Sequence, residues 1–170
     1  EKSLKISEEI GNKLIKGRSY NNIGIINHDQ GNYEKALDYH LKSLKIKEEL
    51  GDKNAIGTSY NNIGIIYHDQ GNNEKALDYH LKSLKIMEEI GNKRGIGTSY
   101  SNIGNINCDQ GNYEKALEYH EKGLKISEET GDKRAMGIFY SSIGNTYIDQ
   151  GNNEKALEYY EKSLKIREEI

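Results

Sequence analysis

The chain has 170 residues, and its 24 basic and 27 acidic side chains are mixed along the whole length, for a formal net charge of -3. This pattern lacks the basic stripe that binds nucleic acid. Only 34% of the residues are hydrophobic, but 18 glycines bring the composition to the low end of the range of globular chains, so disorder is not expected. No apolar run approaches the roughly 20 residues that span a bilayer.

The single cysteine, Cys108, cannot form an internal disulfide, which is typical of proteins in a reducing compartment. We therefore predict a cytoplasmic protein. The sequence starts with Glu1 rather than Met and opens inside a repeat, so we expect the natural N-terminus to lie upstream.

A forty-residue period organises the chain. Residues 1–10 match the last ten residues of a block, and four full blocks follow without a gap: 11–50, 51–90, 91–130 and 131–170. More than half of the block positions hold the same residue in all four copies. Such a period is typical of helical repeat proteins, whose units must stack because one unit cannot bury its apolar face alone.

Each block begins with a predicted helix, which covers about residues 53–69 in the second block. Its apolar residues recur at three- and four-residue spacings, the period of a helix. They are Ile56, Tyr60, Ile63, Ile66 and Tyr67. Gly57 and Gly64 lie inside this helix, where each costs about 1 kcal/mol relative to alanine. We expect close helix packing to compensate for that cost.

A second helix follows in each block, at about residues 73–90 in the second. Its apolar stripe consists of Ala76, Leu77, His80, Leu84 and Ile86. Gly71 and Gly91 come just past the predicted helix ends, where glycine most easily adopts a left-handed backbone. Asn72 and Asn92 follow them as predicted N-caps. The blocks therefore predict helical hairpins punctuated by glycine.

These residues resemble the tetratricopeptide repeat, and the resemblance covers essentially the whole chain. The signature positions of that family are held by Gly57, Tyr60, Ile63, Gly64, Tyr67, Gly71, Ala76, His80 and Leu84. Ser83 stands where alanine is usual, and Glu88 replaces the late proline. The forty-residue unit is most similar to the repeats of Pins-type cell-polarity adaptors and of many bacterial signalling proteins, and kinesin light chains have a similar unit.

The resemblance implies an all-α fold, a right-handed α-solenoid of antiparallel hairpins forming one array over residues 1–170. It also implies that the first helices line a concave groove and that the second helices form the outer surface. A non-enzymatic scaffold that binds a protein or an extended peptide is the function expected of such an array.

The block positions that differ most between copies share one face of the first helices, since they are spaced by four, three, four and three residues. On this face we predict contacts to a partner from Arg18, Asn21, Asn22, Ile25, His28, Thr58, Asn61, Asn62, Ile65, His68, Arg94, Thr98, Ser101, Asn102, Asn105, Arg134, Ser141 and Asn145. The same stripe includes Leu14, Asn54, Cys108, Ile138 and Ile148. Unconstrained drift of a surface is the alternative explanation.

Asparagine is the most frequent residue type in the predicted groove. A carboxamide both donates and accepts hydrogen bonds, so a ladder of asparagines could pair with the backbone of an extended peptide. The ladder would consist of Asn21, Asn22, Asn61, Asn62, Asn102, Asn105 and Asn145. Pins-type repeats, which the chain resembles, hold partner backbones with first-helix asparagines. In the alternative interpretation, some asparagines bridge neighbouring helices instead.

Arg18 followed by Asn22 matches the start of the carboxylate clamp in chaperone-binding relatives. Thr58 and Thr98 occupy the later positions where further basic residues would be needed, so a complete clamp is not expected.

Charge is also distributed unevenly along the predicted groove. Arg94 and Arg134 place positive charge near one edge, and Asp29, Asp69, Asp109 and Asp149 line the other. A partner with separated charges would suit this polarity. The aspartates lie at helix C-termini, where the helix dipole disfavours them, so we expect each to accept a stabilising hydrogen bond.

No metal, cofactor or catalytic site is predicted. His28, His68 and Cys108 occupy equivalent positions in successive blocks, about 10 Å apart for packed helices, whereas zinc needs ligands at about 2 Å. His40 and His80, with their counterpart His120, are expected to pack in the core. No nucleophile–base pair or glycine-rich cofactor loop is present.

Two further functions remain open at this stage. The uncapped ends of the array, helix 153–170 and residues 1–10, could associate head to tail with other copies. Alternatively, the array could be a regulatory module of a larger signalling protein.

Overall fold

The computed structural model describes residues 2–169, with side chains described from residue 9 onward. This part of the chain forms eight helices and contains no strand. The helices are α1 (Lys2–Asp29), α2 (Tyr33–Leu50), α3 (Lys53–Asp69), α4 (Asn73–Glu89), α5 (Lys93–Asp109), α6 (Tyr113–Thr130), α7 (Lys133–Asp149) and α8 (Asn153–Glu168). The predicted all-α architecture of helical hairpins is confirmed.

The helices divide into two compact units, and the division coincides with a block boundary. Unit 1 is Glu1–Ile90 and unit 2 is Gly91–Ile170. In unit 1 each helix from α1 to α4 packs on the next, and in unit 2 each helix from α5 to α8 does the same. The two first helices of unit 2, α5 and α7, also contact each other directly.

Glycine makes every turn between helices. The seven turn glycines have φ between 67° and 76°, a left-handed conformation that costs other residues energy. At Gly71 the backbone N–H bonds to His68 O at 2.8 Å, and the next N–H bonds to Tyr67 O. Asn72 then caps α4, because its side chain accepts a hydrogen bond from Lys75 N. The predicted glycine ends and asparagine caps are confirmed here and at Asn92.

One glycine of the same series behaves differently. Helix α1 continues through Gly11 without a turn, although this residue is equivalent to Gly51 and Gly91. At Gly51 and Gly131 the helices on both sides of the glycine pack on each other, α2 on α3 and α6 on α7. Most side chains of the predicted partial repeat, residues 1–10, lie outside the described part of the chain, and so does Ile170.

The mid-helix glycines make room for buried rings. A Cβ added at Gly64 would lie 2.7 Å from the imidazole of His80, and the same conflict occurs between Gly104 and His120. His40, His80 and His120 are buried, as predicted. The glycines therefore accommodate a side chain from the second helix, where the sequence had predicted only close approach of two backbones.

Across the described residues, no helix is both long enough and apolar enough to cross a bilayer.

Candidate functional site

A groove opens in unit 2 between the first helices α5 and α7, with α6 as its floor. We call it the unit 2 groove. Its volume is about 830 Å³, within the range of ligand-binding clefts. It is lined by Lys93, Arg94, Gly97, Thr98, Ser101, Asn102, Gly123, Ile126, Ser127, Thr130, Asp132, Arg134, Ala135, Ile138 and Phe139. Five of the predicted contact residues meet here: Arg94, Thr98, Ser101, Asn102 and Arg134.

A paired exchange of residues shapes the floor. Phe139 stands where the other blocks have serine, and Gly123 also replaces a serine. The ring of Phe139 packs directly over Gly123, since a Cβ there would lie 2.2 Å from the ring. Phe139 is buried, so the exchange replaces two small polar groups with one apolar surface.

Positive charge lies at the end of the unit 2 groove where α5 and α7 begin. Arg94 and Arg134 are in the first turns of these helices and are exposed. The neighbouring Lys93 is ion-paired with Glu129 at 3.3 Å. Asp132 also lines the groove, and one of its carboxylate oxygens caps α7 by accepting from Ala135 N at 3.0 Å.

The other predicted residues of unit 2 lie outside this groove. Ser141 shares a hydrogen bond of 2.8 Å with Ser163 of α8. Asn145 accepts a hydrogen bond from the Tyr160 hydroxyl. Asn105 is exposed to solvent. Of the predicted asparagine ladder, the unit 2 groove therefore contains only Asn102.

In unit 1 a lysine occupies the space between the first helices. Lys47 of α2 donates to Ser59 Oγ at 2.6 Å and to Asn21 Oδ1 at 3.4 Å. Asn62 of α3 donates to the same Asn21 oxygen at 3.5 Å. Burial lowers the pKa of Lys47, and Asp52 partly opposes this effect. Asn21 and Asn62 thus bridge neighbouring helices, as the alternative interpretation of the asparagines expected.

Asn61 does not lie on the exposed face where the predicted ladder places it. Its side chain is buried, and Oδ1 lies 2.9 Å from Nδ1 of His80. Asn61 therefore supplies from the preceding helix a hydrogen-bond partner that Nδ1 lacks in the buried His40 and His120. The prediction that Asn61 contacts a bound partner is therefore wrong.

The remaining predicted residues of unit 1 stay near the surface. Arg18, Asn22, Ile25 and Thr58 are exposed, whereas Ile65, His28 and His68 are partly buried. The Thr58 hydroxyl donates to Asn54 O within its own helix.

Two of the helix-terminal aspartates, Asp69 and Asp149, contact side chains of the preceding block. Asp69 Oδ2 lies 2.6 Å from Nε2 of His28 in the preceding block. Asp149 Oδ2 accepts from the Cys108 thiol at 3.1 Å. Burial and this carboxylate raise the pKa of Cys108 to about 11. His28 and Cys108 therefore join successive first helices, and the predicted acidic edge is engaged by the fold at these two places.

The sequence did not predict the residues that fill the space between the first helices, which are Lys47 in unit 1 and Gly123, Ile126, Ser127 and Phe139 in unit 2. The available signal was a break in the period. Phe139 and Gly123 depart from serine in the same pair of neighbouring helices, and the prediction considered only first-helix positions. No group of three or more potential metal ligands occurs among the described side chains.

Comparison with known proteins identifies the repeat. A family model described as Tetratricopeptide repeat matches residues 1–49, 16–89, 55–129 and 95–169, and so covers nearly the whole chain. No curated protein matches significantly.

Solved structures show the same fold. Aspartyl phosphate phosphatase F from Bacillus subtilis has a TM-score of 0.86 at 18% identity, over 92% of this chain and 41% of that one. A STAND protein with a tetratricopeptide repeat sensor from Pyrococcus horikoshii has a TM-score of 0.80 at 30% identity, over 92% and 25%. A Rap protein complexed with competence and sporulation factor has a TM-score of 0.80 at 18% identity, over 96% and 48%. The chain thus spans less than half the length of each.

Proposed function

Because the chain belongs to the tetratricopeptide repeat family, we propose that it is a non-catalytic interaction module that binds an extended segment of a partner protein along its first helices. The main support is the unit 2 groove, which brings together five predicted contact residues and has the volume of a binding cleft. A cytoplasmic location is part of the proposal.

The groove wall provides the chemistry that an extended segment needs. Thr98, Ser101 and Asn102 follow one another along α5 and present hydroxyl and carboxamide groups. Such groups can pair with backbone amides without demanding particular side chains. The apolar floor formed by Ile126 and Phe139 can bury a side chain of the bound segment.

Two similar structures are consistent with this role. One is a Rap protein in complex with competence and sporulation factor, so the same fold holds a bound partner there. The other contains a tetratricopeptide repeat sensor within a larger STAND protein. The second structure favours one form of this proposal, in which the chain is a regulatory module within a longer signalling protein.

The experiment selects peptides from a randomised twelve-residue library with the chain as bait and measures their affinity by fluorescence polarisation. Thr98→Trp would fill the groove from an exposed position, and Glu121→Trp places the same ring on an exposed position of α6 outside the groove. We expect T98W to weaken binding by about tenfold or more and E121W to leave it unchanged. Failure to enrich any peptide, or equal affinities for both variants, would contradict the proposal.

Self-association with a second copy is the alternative, and exposed apolar residues of α1 and α8 favour it. Ile26 in α1 is 55% exposed, whereas its counterpart Ile66 is 1% exposed; Leu164 in α8 is 57% exposed, against 8% for Leu84. One copy's α8 could cover another copy's α1 as α2 covers α3. Sedimentation equilibrium over a hundredfold concentration range would show a rising mass, and a constant monomer mass would remove this alternative.

A further inference from the structure

We propose that the unit 2 groove selects segments in which a carboxylate and an apolar side chain are separated by one residue, with Arg94 and Arg134 holding the carboxylate. The apolar side chain would lie against Ile138 and Phe139. This inference rests on the proposed function and adds the chemistry of the partner.

The two arginines are the first part of the case. Among the described residues neither guanidinium forms an ion pair, whereas the adjacent Lys93 and Lys133 pair with Glu129 and Glu169 at 3.3 and 3.0 Å. Basic side chains in the first turn of a helix face the positive end of its dipole, which is unfavourable. An anion between the arginines would be stabilised by both guanidinium groups and by the two helix N-termini.

This positive end is particular to unit 2. The positions equivalent to Arg94 and Arg134 hold Leu14 and Asn54 in unit 1. Asp132 reduces the positive charge of the groove, but one of its oxygens is already used to cap α7. Because Lys93, Arg94 and Arg134 line the groove against this one carboxylate, its lining keeps a net positive charge at this end.

The apolar part of the groove begins one helical turn further along. Ile138 is 53% exposed on the groove wall, where the other blocks have Arg18, Thr58 and Thr98. An exposed isoleucine beside the Phe139 floor provides a surface that a ligand side chain can cover.

The spacing sets the sequence pattern of the ligand. Arg134 and Ile138 are four residues apart on α7, which corresponds to about 6 Å along the helix axis. In an extended peptide, side chains two residues apart point to the same side and are separated by about 6.6 Å. One intervening residue therefore places a carboxylate and an apolar side chain at the two subsites together.

The test selects from a randomised heptapeptide library with the wild-type chain and three variants. The wild type should enrich Asp or Glu two positions from an apolar residue. R94Q/R134Q should lose the acidic preference and keep the apolar one, and it should bind the selected peptides about tenfold or more weakly.

G123S/F139S restores the serine pair of the other blocks, so it should fold, weaken the apolar preference and keep the acidic one. The matched control is K133Q, which removes a charge from the same helical turn as Arg134 but from a lysine that does not line the groove. It should behave as the wild type.

Each outcome has a defined meaning. If the wild type enriches peptides without the acidic and apolar pair, or if R94Q/R134Q keeps the acidic preference, the inference is wrong while the proposed function stands. If no peptide is enriched by any variant, both fail. Loss of the acidic preference in K133Q would mean that general positive charge, rather than the two arginines, attracts the ligand.

Discussion

The two units build the same hairpins but fill the space between their first helices differently. In unit 1, Lys47 reaches from α2 to Ser59 and Asn21, so polar contacts join the helices. In unit 2, Ser127 stands at the position of Lys47, and Phe139 replaces the serine equivalent to Ser59. The result there is an open groove with an apolar floor.

The difference shows where a repeat array can change its binding chemistry. Positions that close the turns and form the hairpin core are nearly uniform, because every block must stack in the same way. The floor is supplied by the second helix of one hairpin and the first helix of the next. A few substitutions at this junction can turn a bridged interface into a binding groove without altering the scaffold.

The largest expected difference between the units is their sensitivity to acid. Burial lowers the pKa of His40, His80 and His120 to about 4, and for His40 the charge of Lys47 adds to this effect. The unfolded state, with a pKa near 6.5, takes up protons first as the pH falls. The stability that depends on the neutral histidines is therefore complete above pH 6.5 and is lost progressively towards pH 4, by about 3 kcal/mol per histidine.

Unit 1 contains two of these histidines and unit 2 contains one, because the fourth block has Tyr160 instead. Hydrogen exchange of the most protected amides, corrected for intrinsic pH dependence, measures the free energy of opening. Between pH 7 and 4.5 this free energy should fall about twice as much in α3 as in α7. Imidazole resonances of these three residues that titrate near pH 6.5 would refute the explanation.

The second prediction concerns the Phe139 floor of unit 2. Gly123→Ala should destabilise the chain by about 2–3 kcal/mol, because the new Cβ would overlap the Phe139 ring and overpacking exceeds the gain in helix propensity. The matched control is Gly97→Ala, whose Cβ would lie 3.9 Å from the same ring, an ordinary contact. It should be neutral or slightly stabilising.

Urea unfolding of the two alanine variants, F139S and the corresponding double variant would measure the coupling. The cost of G123A should largely disappear when F139S is already present. Strictly additive free energies would mean that the ring and the glycine do not depend on each other.

The third prediction separates structural asparagines from surface ones. Asn61→Ala in unit 1 should cost about 1–2 kcal/mol, because Nδ1 of buried His80 loses its partner. Asn105→Ala in unit 2 should change stability by less than about 0.5 kcal/mol, because this side chain is exposed. Thermal unfolding of the two variants gives the comparison, and equal shifts would contradict it.

Asn61 also shows how far the sequence could predict the structure. Hairpin boundaries, turn glycines and the buried His80 were predictable because repetition displays each local rule four times. Asn61 was assigned to the groove from helical spacing alone. Spacing places a residue on a face but does not distinguish the edge of a groove from the contact with the next helix.

The groove floor escaped prediction for a related reason. The contact between Gly123 and Phe139 joins two helices, and each substitution alone resembles ordinary variation. Their coincidence in neighbouring helices was visible in the sequence, but its meaning depends on knowing that these positions touch. Arg94 and Arg134 were expected near one edge of the groove, and both line it, because both lie on the exposed first-turn face of a first helix.

The smallest effect is expected at Lys47, and it tests the polar contacts of unit 1. Lys47→Met introduces the residue that already stands at the equivalent position, Met87. Because burial lowers the pKa of Lys47, the folded state releases this proton before the unfolded state does, so wild-type stability should rise as the pH increases towards 10.5. K47M lacks this gain, so the stability of the variant relative to the wild type should fall, by about 1 kcal/mol or less, between pH 7.5 and pH 10. Urea unfolding at both pH values isolates the effect of the lysine, since the tyrosines titrate equally in both proteins. If the difference in unfolding free energy between wild type and variant does not change with pH, the Lys47 ammonium is as well solvated as one at the surface.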